Sequence, residues 1–171
     1  MKILLLCAAL ALTACKSEQA QIPDPTIMTA DALGHFCQMQ LITHPGPKAQ
    51  IHLSGLPDPI YFAQVRDALA YVKSAERDAD ILAFYVSDMA MAPDWDNPGP
   101  ENWALAGDLQ FVVGANVRGG MGAPEIVPFS DVTAALAFVA EKGGEVMAMG
   151  NIPAEAVLAP VEVALEGVPE T

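Results

Sequence analysis

The stretch FAQVRDALAYV at residues 62–72 recurs as FSDVTAALAFV at residues 129–139, a shift of 67 positions. Each copy carries apolar residues at the spacing of an amphipathic helix. In the first copy, the positions that coincide in aromatic, aliphatic or alanine character are Phe62, Val65, Ala68, Leu69, Ala70, Tyr71 and Val72. The match predicts two helices of one kind and indicates an internal duplication.

The segments around both helices predict strands. A proline-bearing turn precedes each helix, and a run of β-type residues follows it. The strand candidates are residues 36–42, 49–53, 81–86, 109–114, Val127 and 145–149. We therefore predict an α+β fold of two tandem ββαβ units, at residues 29–86 and 108–152, followed by a C-terminal segment at residues 153–171.

The N-terminus has the features of an export signal, because a basic residue precedes an apolar run too short to span a bilayer as a helix. Its ending, Leu12-Thr13-Ala14-Cys15, resembles a bacterial lipobox. That resemblance implies removal of residues 1–14 and acylation of the Cys15 thiol. Residues 15–28 then form the lipid anchor and a polar tether, which places the domain on the periplasmic side of a membrane. Lys16, directly after the lipidated cysteine, favours the outer membrane.

The composition describes a folded, acidic chain. Hydrophobic residues make up 53% of it, and 21 acidic against 8 basic residues give a net charge of −13. A surface of this sign repels phosphate backbones, so we expect no nucleic-acid partner. It favours a partner protein with a basic patch.

A long connector, residues 87–107, lies between the two predicted units and contains Trp95 and Trp103. Tryptophan is rare in disordered segments, so the connector is expected to be packed. Two interpretations remain open. The indoles cover the core of the two units, or they form a surface on which a partner docks.

Cys37 is the one thiol left once the signal and the lipid anchor are set aside. It is either a small buried hydrophobe or a metal ligand. If residues 35–39 are extended, His35, Cys37 and Met39 share one face of the strand. An imidazole, a thiolate and a thioether form a soft set that favours Cu(I), whereas structural zinc usually takes four Cys or His ligands.

Met121 is flanked by glycines in the stretch Arg118-Gly119-Gly120-Met121-Gly122-Ala123-Pro124. Glycines allow unusual backbone angles and close approach, so this loop could project one thioether toward a neighbouring site. The alternative is a turn with an incidental exposed methionine.

These segments resemble the NosL family, the accessory lipoproteins of nitrous-oxide reductase. The resemblance covers residues 32–149. The stretches that carry it are HFCQM at 35–39, HPGPKAQ at 44–50, VVG at 112–114 and RGGMGAP at 118–124, the last being the most specific.

The resemblance implies a pair of ββαβ units like those of NosL and of the organomercurial-lyase fold. It implies a Cu(I) chaperone in which Cys37, Met39 and Met121 hold the metal, and His35 would add a nitrogen ligand. The implied partners are nitrous-oxide reductase or its membrane maturation complex, which includes an ABC-type transporter.

The chain departs from the family at two positions. Many relatives look like C-x-x-C-G-M in the first stretch, whereas this chain has Gly34 in place of the earlier cysteine and Gln38 in place of the glycine. Chemistry that needs paired thiols, such as cleavage of a carbon–mercury bond, is therefore not expected here.

Three classes of function compete. The first is the copper chaperone. The second is a lipid-anchored assembly or interaction protein without metal transfer, in which Cys37 is structural and the tryptophan connector carries the function. The third is a metalloenzyme, for which the sequence offers no HExxH motif and no phosphate loop. We expect no enzymatic activity.

Overall fold

The computed structural model describes residues 22–77 and 79–161. The predicted signal peptide, Cys15, Lys16 and the end of the C-terminal segment lie outside the described residues. In the part that is described, none of the helices combines the length and the apolarity needed to cross a membrane.

The first unit is an antiparallel sheet with one helix. Its elements are β1 (Ala49–Leu53), β2 (Ile60–Phe62), α1 (Val65–Lys73) and β3 (Ile81–Val86). The strand order is β2-β1-β3, and a short strand β4 (Ala104–Leu105) extends the sheet beyond β3. β1 is buried along its whole length, as expected for a central strand.

The second unit repeats this arrangement. Its elements are β5 (Gln110–Val113), β6 (Val127–Phe129), α2 (Val132–Lys142) and β7 (Glu145–Ala148), with the antiparallel strand order β6-β5-β7. In both units the first strand is central and the helix connects the second strand to the third. The predicted α+β class and the ββαβ element order are therefore observed. A common origin by duplication stays a prediction.

The strand prediction for residues 36–42 is wrong. Residues 35–37 form a turn, Gln38 has a φ of 54°, and a 3-10 helix follows at Leu41–Thr43. The Gly34 N–H donates to the Met39 carbonyl (3.0 Å) and the Gln38 N–H donates to the Gly34 carbonyl (2.8 Å), which closes the chain into a loop. The second strand of the first unit is instead β2, in a stretch that we expected to be a turn and the start of a helix.

One hydrophobic core connects the two units. The buried residues Val65 and Leu69 of α1 belong to the same cluster as Phe111 of β5 and Ile126 before β6. A third helix, α3 (Ala154–Leu158), packs against α1. Because the units share a core, loops from both can be held in fixed positions against each other.

Candidate metal centre

The Cys37 loop is docked on the edge of the first sheet. The His35 N–H donates to the Tyr61 carbonyl of β2 (2.6 Å), and Leu33 pairs with Gln40 across the base of the loop. Cys37, a free thiol, is half-buried at the tip. The loop therefore holds the thiol at a defined place while leaving part of it open.

Gly34 lies close to this thiol. A Cβ at position 34 would lie 2.5 Å from the Cys37 Sγ, closer than real contacts allow. The thiol packs beside a small cluster that includes Leu41, Ala63 and Trp103. A larger side chain at position 34 would therefore displace the thiol from its present place.

The His35 ring packs in an aromatic cluster. It lies against Phe62 and Tyr71, with centroid distances of 5.6 Å to both. Tyr61, which precedes Phe62 in β2, packs with the cluster around Cys37. The imidazole is therefore packed among Phe62 and Tyr71, whereas Cys37 packs against a different cluster. The shared strand face expected for an extended chain does not form, because residues 35–37 are a turn and Gln38 has a positive φ; His35 as a ligand stays a prediction.

Met39 closes the Cys37 loop and is 43% exposed. Its carbonyl accepts from the Gly34 N–H, so its backbone is fixed while its thioether is open to solvent. The Met39 thioether and the Cys37 thiol, both soft donors, therefore lie on one short loop.

The Met121 loop is bound to the first unit by hydrogen bonds. The Met121 N–H donates to the Gln64 Oε1 (2.6 Å), and the His44 Nδ1 donates to the Gly120 carbonyl (3.0 Å). Within the loop, the Arg118 Nη1 donates to the Gly122 carbonyl (2.6 Å). The Met121 side chain is 39% exposed. The loop is thus more than an incidental turn, because it belongs to the interface between the units.

The two loops meet at the segment Ala63–Gln64, just before α1. Ala63 packs in the Cys37 cluster, and its carbonyl oxygen would lie 3.1 Å from a Cβ on Gly120. Gln64 binds the backbone of Met121. The structure therefore brings the thiol loop of the first unit and the thioether loop of the second to neighbouring residues.

Two buried ionisable side chains, Glu125 and Lys48, lie beside this junction, and neither was predicted from the sequence. Burial raises the pKa of Glu125 to about 8, and burial lowers the pKa of Lys48 to about 8. Glu125 Oε1 accepts from the backbone N–H of Arg66 (3.0 Å), while Lys48 Nζ donates to the carbonyls of Pro45 (3.1 Å) and Gly46. For Glu125 the one sequence signal is a lone charge directly before the apolar run Ile126-Val127, whereas Lys48 precedes a stretch in which polar and apolar residues alternate.

The remaining candidates serve the fold. Trp95 stacks on Phe138 of α2 at 6.4 Å, and Trp103 packs on Tyr61. These contacts favour the interpretation in which the indoles cover the core. His52 contacts the Gln50 Oε1 (3.1 Å). Over residues 22–77 and 79–161, no three His, Cys, Asp or Glu side chains are grouped to hold a metal ion.

Comparison with known proteins gives one consistent result. The NosL family model matches residues 25–157. The copper-binding lipoprotein NosL of Achromobacter cycloclastes is 52% identical over 168 residues, covering 97% of this chain and 87% of that protein.

Two solved structures are also similar. The crystal structure of the copper chaperone NosL from Shewanella denitrificans matches with a TM-score of 0.71 and 27% identity, over 75% of this chain and 95% of that chain. The solution structure of apo-NosL from Achromobacter cycloclastes matches with a TM-score of 0.50 and 51% identity, over 69% and 94% of the two chains.

Proposed function

The chain belongs to the NosL family, and we propose that it is a membrane-anchored periplasmic metallochaperone that binds Cu(I) and supplies it for assembly of the copper sites of nitrous-oxide reductase. The relatives are named as a copper-binding lipoprotein and a copper chaperone. Neither name is that of an enzyme, in agreement with the expectation that this chain catalyses no reaction.

The observation that carries the proposal is the convergence of the Cys37 loop and the Met121 loop on Ala63–Gln64. Thiolate and thioether sulfur are soft donors and prefer monovalent copper over zinc or magnesium. The same loop as Cys37 carries a second thioether, that of Met39. The donor set therefore fits Cu(I), with the thiol from the first unit and one thioether from the second.

The exposure of the donors suits a carrier. Met39 and Met121 are both exposed, and Cys37 is half-buried. A recipient protein can approach such donors and replace them one at a time, so that copper passes on without being released into solution. The proposed recipient is nitrous-oxide reductase or its membrane maturation complex, and acylated Cys15 would keep the carrier at the membrane.

Copper binding is tested on the mature domain without its lipid, by anaerobic titration with Cu(I) against a chromophoric chelator. We expect one Cu(I) per chain, and weaker binding after Cys37→Ser and after Met121→Leu. Met91→Leu is the matched control, because Met91 is 72% exposed and lies in the connector. Wild-type stoichiometry and affinity in both site variants would refute the proposed site.

A further inference from the structure

We propose that Gln64 is a positioning residue for copper binding, which fixes the Met121 thioether beside the Cys37 loop. This inference rests on the proposed function. Gln64 is completely buried, and its side-chain oxygen accepts the backbone N–H of Met121 at 2.6 Å. In the proposed site Gln64 does not contact the metal, and it acts through the Met121 backbone.

The Gln64 side chain does not cap the helix that it precedes. It is the N-cap residue of α1, yet its side chain makes no capping bond to that helix. The cap is supplied from the second unit, because the Glu125 Oε1 accepts the Arg66 N–H in the first turn of α1. Glu125 thereby caps the helix of the first unit, and Gln64 of the first unit is free to hold the loop of the second.

Close packing of its glycines also restricts the Met121 loop. A Cβ on Gly120 would lie 2.6 Å from the His44 Cβ and 3.1 Å from the carbonyl oxygens of Ala63 and Pro45. A Cβ on Gly119 would lie 2.9 Å from the Gln64 Cγ. The loop therefore approaches the first unit as closely as glycine permits, and it has little freedom to shift.

Positioning matters here because methionine is a flexible and uncharged donor. Its side chain has three rotatable bonds, so a fixed backbone is needed to present the sulfur at one point. Residues that orient metal ligands typically contribute about 10–100-fold to metal affinity. The residue before Gln64, Ala63, belongs to the cluster against which Cys37 packs. One short segment therefore sets the relative place of both sulfur donors.

Two variants test the inference in the metal-free mature domain and then with Cu(I). Gln64→Leu removes the acceptor, and Gly120→Ala pushes the loop away by a steric clash. The matched controls are Gln50→Leu, an equally buried glutamine that bonds to Thr26, and Gly150→Ala, where a Cβ meets nothing within 4 Å. Amide hydrogen exchange of Met121 measures the bond directly, and circular dichroism confirms folding.

We expect the Met121 amide to be protected in the wild type and in both controls, and to exchange faster in Gln64→Leu. We expect Cu(I) affinity to fall by about 10-fold or more in Gln64→Leu and Gly120→Ala, with unchanged affinity in the controls. If Gln64→Leu does not fold, Gly120→Ala alone decides. Wild-type affinity in these variants while Met121→Leu weakens binding would overturn the inference and leave the proposed function standing. No effect of Met121→Leu would also overturn the inference, and the proposed site would be refuted as well if Cys37→Ser had no effect.

Discussion

The two helices α1 and α2 carry nearly the same sequence pattern and lie in different surroundings. Leu69 of α1 is completely buried, whereas Leu136, its counterpart 67 residues later, is 55% exposed. Val65 and Val132 differ in the same way. α1 packs between its own sheet and α3, while α2 buries only Ala135. A helical pattern thus predicts the helix but not how much of it the rest of the fold covers.

The difference separates two roles. The first unit supplies most of the core and the thiol of Cys37. The second unit buries fewer side chains in the core, and it contributes the glycine loop with Met121 and the buried carboxyl of Glu125. Each unit holds part of the other, since Glu125 caps α1 and Gln64 binds the Met121 loop. Stability is therefore expected to depend mainly on the first unit, and metal binding on both.

The largest expected effect comes from the matched leucines. Leu69→Ala leaves a cavity in the core and should lower the free energy of unfolding by about 2–5 kcal/mol. Leu136→Ala removes an exposed side chain and should change it by no more than about 0.5 kcal/mol. Urea denaturation measures both. Equal losses of stability would show that Leu136 is buried in solution, and the two helices would then not differ in burial.

The Glu125 cap should make stability depend on pH. Burial raises the pKa of folded Glu125 to about 8, so folding takes up a proton between the unfolded value near 4.5 and pH 8. The favourable contribution of this group to the free energy of unfolding is fully present below pH 4.5. It is lost as the pH rises from 4.5 toward 8, by up to about 1.4 kcal/mol per pH unit. Above pH 8 the titration of Lys48, whose pKa burial lowers to about 8, acts in the opposite direction.

Glu125→Gln tests this dependence because it keeps an acceptor for the Arg66 N–H and removes the titration. Denaturant unfolding of the wild type and the variant is compared at intervals from pH 4.5 to 8. The wild type should lose stability relative to the variant as the pH rises. Parallel curves would show that the carboxyl is already ionised in the folded protein.

The smallest effect is expected at the cap of α2. The Asp131 side chain accepts from the Thr133 N–H at 2.7 Å. α2 is thus capped by a residue of its own unit, whereas α1 is capped by Glu125 of the other unit. Asp131→Ala should cost about 1 kcal/mol, while Asp131→Asn, which keeps an acceptor, should cost much less. Thermal or urea unfolding compares the two. An equal cost would mean that the charge, and not the hydrogen bond, stabilises the helix.

The periodic parts of the fold can be predicted from the sequence. Both helices, the central strands and the third strand of each unit follow from apolar spacing, because these elements pack regularly. β2 was missed, since three residues next to prolines give too short a pattern. The Cys37 loop was misread as a strand, because its alternating residues gave no sign of the left-handed conformation at Gln38.

The proposed donors can be picked out from the sequence, but their assembly cannot. Soft side chains at Cys37, Met39 and Met121 are visible in the sequence. Their relative placement depends on contacts among Gln64, Gly120 and Glu125, which are brought together only by tertiary packing. No periodicity or spacing marks Gln64 as the residue that binds the Met121 loop.

In the proposed site, one copper ion is held by sulfur from both units. X-ray absorption at the copper edge of the Cu(I)-loaded protein measures the sulfur shell directly, in the wild type and in Met121→Leu. We predict a sulfur-rich shell that loses one scatterer in Met121→Leu and keeps its thiolate from Cys37. An identical copper–sulfur shell in the two proteins would show that the second unit contributes no ligand and would contradict the account.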